Sequence, residues 1–215
     1  MEFTFYKYHG SGNDFIILDN REGEFTAFTS KQVKILCHRR FGIGADGLIL
    51  LCKKEGYDFE MIYYNSDGKP GSMCGNGGRC LVRFAYHMGL HKYTYHFLAA
   101  DGDHEAEIGI NEIIRLKMQD VKEVEEHSSY SIVNTGSPHF VKFANDIMNV
   151  DVVESGRDIR NSKAFLKDGI NVNFVENIGE DSIFVRTYER GVEDETLSCG
   201  TGVTAAALIS AHNSR

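Results

Sequence analysis

In the first half of the chain, apolar and polar positions come in short runs, a pattern that predicts strands more than long helices. Phe3 to Tyr8, Phe15 to Leu18, Gly47 to Leu51 and Tyr57 to Tyr64 are such runs, separated by Gly, Asn and Asp turns. Two stretches change period. Ser30 to Arg40 carries Val33, Leu36 and Cys37 at helical spacing, and Gly75 to His87 follows a glycine cluster and carries Leu81, Val82, Phe84 and Ala85. Strands resume over Tyr93 to Ala99, His104 to Ile110 and Ile113 to Met118. Gln119 to His127, rich in Glu and Lys and poor in apolar residues, reads as a linker. The longest apolar stretch, Val203 to Ala211, contains Thr204 and Ser210 and reads as a buried helix.

After the linker the pattern begins again. His9-Gly-Ser-Gly-Asn-Asp-Phe15 precedes Cys74-Gly-Asn-Gly, and Asn134-Thr-Gly-Ser-Pro-His-Phe140 precedes Cys199-Gly-Thr-Gly. Asn13 lies 61 positions before Cys74 and His139 lies 60 before Cys199, and each cysteine is followed by a helical pattern. Two motifs in the same order at nearly the same separation point to an internal duplication. The duplication predicts two pseudo-symmetric α/β (α+β) domains, residues 1–119 with Cys74 and residues 120–215 with Cys199, both cysteines facing an interdomain cleft. The first half runs about 29 residues past its helix through three strands, whereas the second stops at Arg215, so the second domain is expected to be incomplete.

Composition narrows the function classes. With 215 residues, 42% hydrophobic and 25% charged, the chain can bury a real core in one large or two small domains. A formal charge of -8 argues against nucleic acid or anionic lipid as the main partner and leaves a small polar ligand open. Met1 to Gly10 lacks the basic start and apolar core of a secretory signal, and no apolar run approaches the ~18 residues of a membrane helix. Five cysteines without an export signal read as reduced thiols of a cytoplasmic enzyme.

In Cys74-Gly-Asn-Gly-Gly-Arg-Cys80 the glycines let backbone approach a ligand, and the helix that follows offers unpaired N–H donors. A carboxylate there meets those donors and the positive end of the helix dipole, and a thiol there is expected to have its pKa lowered toward neutrality from about 8.5. Cys199-Gly-Thr-Gly202 repeats the design. A carboxylate held between two helix ends and flanked by two thiols suits inversion of an amino-acid α-carbon, one thiol taking the proton while the other delivers one to the opposite face. A free cysteine is usually a buried small hydrophobe. That reading is kept for Cys37 and Cys52, inside apolar patterns, and for Cys80, one and a half turns into its helix.

With these residues in hand, the sequence resembles the diaminopimelate epimerase family through His9 to Phe15, Asn65-Ser-Asp-Gly, Met73 to Cys80, Glu189-Arg-Gly-Val192 and Ser198 to Gly202. The resemblance implies two domains, each a mixed, mostly antiparallel sheet wrapped around a central helix. It also implies a homodimeric isomerase that interconverts LL- and meso-diaminopimelate without pyridoxal phosphate or another cofactor, serving lysine and cell-wall synthesis. The catalytic cysteines fall on Cys74 and Cys199 and the carboxylate-binding amides on Gly75, Asn76, Gly200 and Thr201. Substrate contacts fall on Asn13, Asn65, Asn171, Glu189 and Arg190, and His139 and Glu189 fall on positions that tune the thiols. An arginine fork at Arg190 suits a distal carboxylate. Two positions depart from the commonest pattern, Gly47 where many relatives have glutamine and Ser137 where many have asparagine.

Other readings are weaker. Gly42-Ile-Gly-Ala-Asp-Gly47 fits the dinucleotide fingerprint, but it follows a helical pattern and precedes a strand, the reverse of the order a Rossmann motif needs. The nine histidines form no metal signature, and Cys74 with Cys80 has the wrong spacing for a zinc knuckle. A proline or hydroxyproline racemase would use the same two-base logic, yet has no need of Asn65, Glu189 and Arg190. A Cys–His hydrolase built on Cys199 and His139 leaves Cys74 unexplained. A redox-sensing amino-acid-binding protein, its two cleft thiols joining on oxidation, is the non-enzymatic alternative.

Overall fold

The computed structural model of the chain describes residues 2–25, 28–71 and 73–213. The chain forms two compact units, Met1–Lys117 and Met118–Arg215.

The first unit runs β1 (Tyr6–Gly10), β2 (Asn13–Asp19), α1 (Ser30–Cys37), β3 (Gly47–Cys52), β4 (Phe59–Asn65), α2 (Gly75–His87), β5 (Thr94–Ala99), β6 (Gly102–Ile108) and β7 (Ile114–Leu116). Its seven strands lie side by side in sequence order. Neighbours are antiparallel except β2 with β3 and β4 with β5. A parallel pair needs a crossover. Here α1 carries the chain from β2 to β3 and α2 from β4 to β5. The two helices cover opposite faces: Phe15, Ile17, Ile49 and Met61 pack with Leu81, Val82 and Phe84 of α2, while Ile16, Leu18, Leu48 and Leu50 pack with Val33 and Cys37 of α1. β2 and β3, covered on both sides, are therefore continuous apolar runs instead of alternating ones. The sheet curls around α2, which touches β1, β2, β3, β6 and β7. Thr29 and Gln32 form a capping box that starts α1.

The second unit runs β8 (Val124–Glu126), β9 (Ser131–Asn134), β10 (Pro138–Phe143), a 3-10 turn at Ile147–Asn149, α3 (Val152–Arg160), β11 (Asn171–Gly179), β12 (Ser182–Glu189), β13 (Asp194–Thr196) and α4 (Gly200–Asn213). The sheet order is β13-β12-β11-β10-β9-β8. β10 and β11 are parallel, joined by α3, and the other described neighbours are antiparallel. Apart from the added short strand β13 ahead of α4, the run β9-β10-α3-β11-β12-α4 thus repeats β1-β2-α1-β3-β4-α2 in order and in strand direction. Val133, Val141 and Val175 face Ala205, Ala206 and Ile209 of α4, and Phe140, Val172, Phe174 and Tyr188 face Val152 and Ile159 of α3.

Two expectations change. Gln119 to His127 is not a linker throughout, because Val124–Glu126 is an edge strand paired with β9; its Glu residues are the charges an exposed edge carries against aggregation. The units divide between Lys117 and Met118, ahead of the expected boundary after residue 119. Arg215, where the second half was expected to stop short, lies outside the described residues.

Candidate active site

In the first unit the site residues gather where β2 and β3 begin and β4 ends. Gly47 opens β3 opposite both Phe15 and Asn65, which sets the start of β2, with Asn13, and the end of β4 on either side of it at one end of the sheet. Cys74 is the extended residue just before α2 (φ -109°, ψ 117°), and its carbonyl accepts from the Gly78 amide at 2.7 Å. Its thiol lies 3.7 Å from Asn13 Oδ1, to which it donates, and the Asn76 amide nitrogen lies 3.5 Å from the same oxygen. Arg79 donates to Asn76 Oδ1 at 2.6 Å.

Asn13 is itself braced. Its Nδ2 donates to Asp46 Oδ2 at 2.7 Å, so Oδ1 turns toward Cys74. Asp46 and Asp14 share the Arg39 guanidinium, and Lys7 joins Asp14 at 2.7 Å. Those two cations hold the Asp14 carboxyl well below the usual carboxylate range although partial burial opposes them. The glycine turn Gly42 to Gly47, which resembles a dinucleotide motif, thus delivers a carboxylate to Asn13. Gly47 has no room for a side chain: a Cβ there would sit 2.4 Å from Tyr63 Cε2 and 2.7 Å from the Tyr64 carbonyl oxygen. The Tyr63 ring fills the space, edge-on to Phe15.

In the second unit Cys199 precedes α4 as Cys74 precedes α2, but it is buried, 8% exposed. The Thr201 and Gly202 amides of the first turn donate to its sulfur, and Thr201 Oγ1 lies 3.4 Å away. Burial and the nearby Glu189 charge nevertheless outweigh these donors, and the thiol is pushed up instead of down. The expected lowering at a helix N-terminus fails here because desolvation penalises the thiolate more than the amides favour it. His139 is linked to Cys199 through the Thr201 hydroxyl. It is fully buried and bonds Thr201 Oγ1 through Nε2 at 2.8 Å. Burial foremost, together with the positive charge of Arg190, pushes its pKa down to about 3, so the imidazole is neutral.

The remaining positions cluster beside these. Asn171 donates to Ser137 Oγ at 2.8 Å and accepts the Arg190 backbone amide at 2.9 Å, while the Arg190 guanidinium reaches the Asp168 carbonyl. Ser137 therefore contributes through its hydroxyl. Strand register also refines the duplication. Asn171, at the start of β11, is opposite His139 just as Gly47 is opposite Phe15, so His139 occupies the place of Phe15 and Ser137 that of Asn13. Sequence reasoning missed Asp46, Tyr63 and Asn173. Asn173 was detectable, being a polar residue between Val172 and Phe174 in the buried first half of its strand.

In each unit a thiol heads a helix laid on the same four-strand frame. The sequence model described as diaminopimelate epimerase matches residues 5–124 and 131–215. The chain belongs to the diaminopimelate epimerase family. Diaminopimelate epimerase of Flavobacterium psychrophilum is 53% identical over 203 residues, 94% of this chain and 79% of that protein. Diaminopimelate epimerase of Chlorobaculum tepidum is 49% identical over 208 residues, 94% of this chain and 80% of that protein. Among solved structures, a PhzF-family phenazine biosynthesis protein of Bacillus anthracis has a TM-score of 0.68 at 14% identity, covering 94% of this chain and 78% of that one. A hydroxyproline epimerase of Agrobacterium vitis has 0.63 at 14% identity, covering 97% and 76%. These two share the fold of the family. No helix among the described residues is long and apolar enough to cross a membrane.

Proposed function

We propose that this chain interconverts LL- and meso-diaminopimelate by cofactor-independent proton transfer at the α-carbon, Cys74 and Cys199 acting in turn as base and acid. The observation that carries the reading is the 53% identity to a diaminopimelate epimerase over nearly the whole chain, with both cysteine motifs present. In this reading one thiol is a thiolate and the other a thiol at the start of each turnover, and their states exchange when the α-carbon inverts. Cys199, whose pKa burial raises, is the natural proton donor in the resting enzyme. The first-turn amides at Gly75, Asn76, Gly200 and Thr201 receive the charge that develops on the substrate carboxylate, the Thr201 amide hydrogen being shared with the Cys199 sulfur. Each well-placed donor of this kind is worth about 2.7 to 4 kcal/mol.

Asn13, Asn65, Asn171, Glu189 and Arg190 supply contacts for a substrate with a second amino-acid end. Those polar groups are what a proline pocket lacks use for, so the hydroxyproline epimerase likeness extends no further than the fold. The reading further assigns the enzyme to the cytoplasm, as a homodimer, in lysine and cell-wall precursor synthesis. Reduced full-length protein incubated with LL-diaminopimelate in heavy water is expected to incorporate deuterium at the α-carbon as meso product forms. Absence of exchange would remove the assignment.

A further inference from the structure

Behind Cys199 and the half-buried Thr201 lies a chain of buried polar groups whose hydrogens can be placed one by one. The Phe140 carbonyl can only accept, and Asn173 presents Nδ2 to it at 3.0 Å, while the Thr187 hydroxyl donates to Asn173 Oδ1 at 2.9 Å. Those two bonds fix which end of the Asn173 amide is nitrogen. The second hydrogen of that nitrogen points to His139 Nδ1, 3.1 Å away, which must therefore accept. A neutral imidazole that accepts at Nδ1 carries its proton on Nε2. Nε2–H then donates to Thr201 Oγ1 at 2.8 Å, and the hydroxyl's own hydrogen is left for Cys199 Sγ at 3.4 Å.

We propose that Asn173 is a positioning residue that fixes the His139 tautomer and thereby aims the Thr201 hydroxyl at the Cys199 sulfur. The alternative tautomer would present Nε2 as an acceptor, and Thr201 would turn its hydrogen to the histidine. A thiolate at Cys199 would then lose a charge-assisted donor when it most needs one. Water is kept from the bonds that set the tautomer, because His139 and Asn173 are 0% exposed and Thr187 4%. The start of α4 is pressed onto the relay: a Cβ at Gly202 would lie 2.4 Å from Asn173 Oδ1 and 3.4 Å from Cys199 Sγ. The charged groups acting on this assembly are Glu189, which disfavours the thiolate, and Arg190, which adds to the burial that lowers the His139 pKa. The relay thus opposes the Glu189 charge without adding a charge of its own.

The inference rests on Cys199 being an acid–base group, but it is tested without turnover. In full-length protein labelled with 15N, His139 Nδ1 should resonate as an unprotonated acceptor and Nε2 as protonated. Asn173→Asp, which has no hydrogen to give, should move the proton to Nδ1. Thr201→Val keeps the backbone amide and shape but removes the hydroxyl, whereas Thr201→Ser keeps it. Alkylation of Cys199, followed by mass spectrometry, should shift to higher pH in Thr201→Val and stay in place in Thr201→Ser. If the epimerase reading also holds, kcat should fall about 10- to 100-fold in Thr201→Val with KM little changed. A protonated Nδ1 in the unmodified protein, or an unchanged Cys199 profile in Thr201→Val, overturns the relay. If Asn173→Asp fails to fold, the two Thr201 variants decide it. Shifted alkylation without epimerisation would keep the relay and reject the function.

Discussion

The two thiols sit on the same repeated frame and are supported by opposite kinds of chemistry. Behind Cys74 stands an amide, Asn13, held by a partly exposed ionic cluster of Asp46, Asp14, Arg39 and Lys7. Cys199 is backed by an uncharged relay in which a half-buried Thr201 leads to fully buried His139 and Asn173. Duplication therefore preserved the placement of a cysteine at a helix start and left the groups behind it free to diverge. A two-base reaction tolerates this, because each thiol needs only to be base in one direction and acid in the other, and the two need not share a pKa.

The comparison is broken most severely by removing either sulfur. Cys74→Ala and Cys199→Ala should each lower turnover by about 10²- to 10⁴-fold, the usual contribution of one general acid or base, despite their different surroundings. Steady-state assays of both epimers check this. A variant with normal rates would show that its cysteine is not a partner in the transfer.

A smaller effect separates the supports. Asp46→Ala releases the Asn13 amide, and we expect a kcat loss of about 10-fold, in keeping with one hydrogen bond to a charged group. Alkylation of Cys74 should change in this variant while that of Cys199 does not, the converse of Thr201→Val. Equal shifts at both thiols would mean that the ionic cluster acts on general stability instead of on Asn13.

These supports were the least legible part of the sequence. The cysteines, the glycines after them and the strand-and-helix order of the first half were readable because period and turn residues are local signals. α3 and the strands from β8 to β13 were not described from the pattern, and β8 is too short and too charged to look like anything but linker. Asp46 meets Asn13 across 33 positions and Asn173 meets His139 across 34, contacts created by parallel strand pairing that no local pattern encodes. The sign of the Cys199 shift also escaped, since a helix start is visible in a sequence and the depth of burial is not.

Gly47 tests the first unit's local packing. Gly47→Gln, which restores the residue many relatives carry, drives its Cβ into the Tyr63 ring and should cost about 1 to 3 kcal/mol of stability, the range for overpacked sites. Adding Tyr63→Ala should recover part of that loss in denaturant unfolding. No recovery would place the clash at the Tyr64 carbonyl, which a side-chain truncation cannot move.

The last effect concerns pH and spreads over the thiols. Burial raises Cys37 and Cys80 to about 11 and raises Cys199 and Cys52 as well. In the unfolded chain these groups titrate near 8.5. A thiol that keeps its proton longer in the folded state adds stability in full below about pH 8.5, and that stability is lost as pH rises toward the folded value. Unfolding free energy should therefore decline between about pH 8.5 and 11, with Cys37→Ser or Cys80→Ser flattening the decline. In the same window Cys199 should alkylate later than a free cysteine. If Cys199 instead reacts readily at pH 7, its helix amides and the Thr201 hydroxyl outweigh its burial, and the two thiols are closer in acidity than their surroundings indicate.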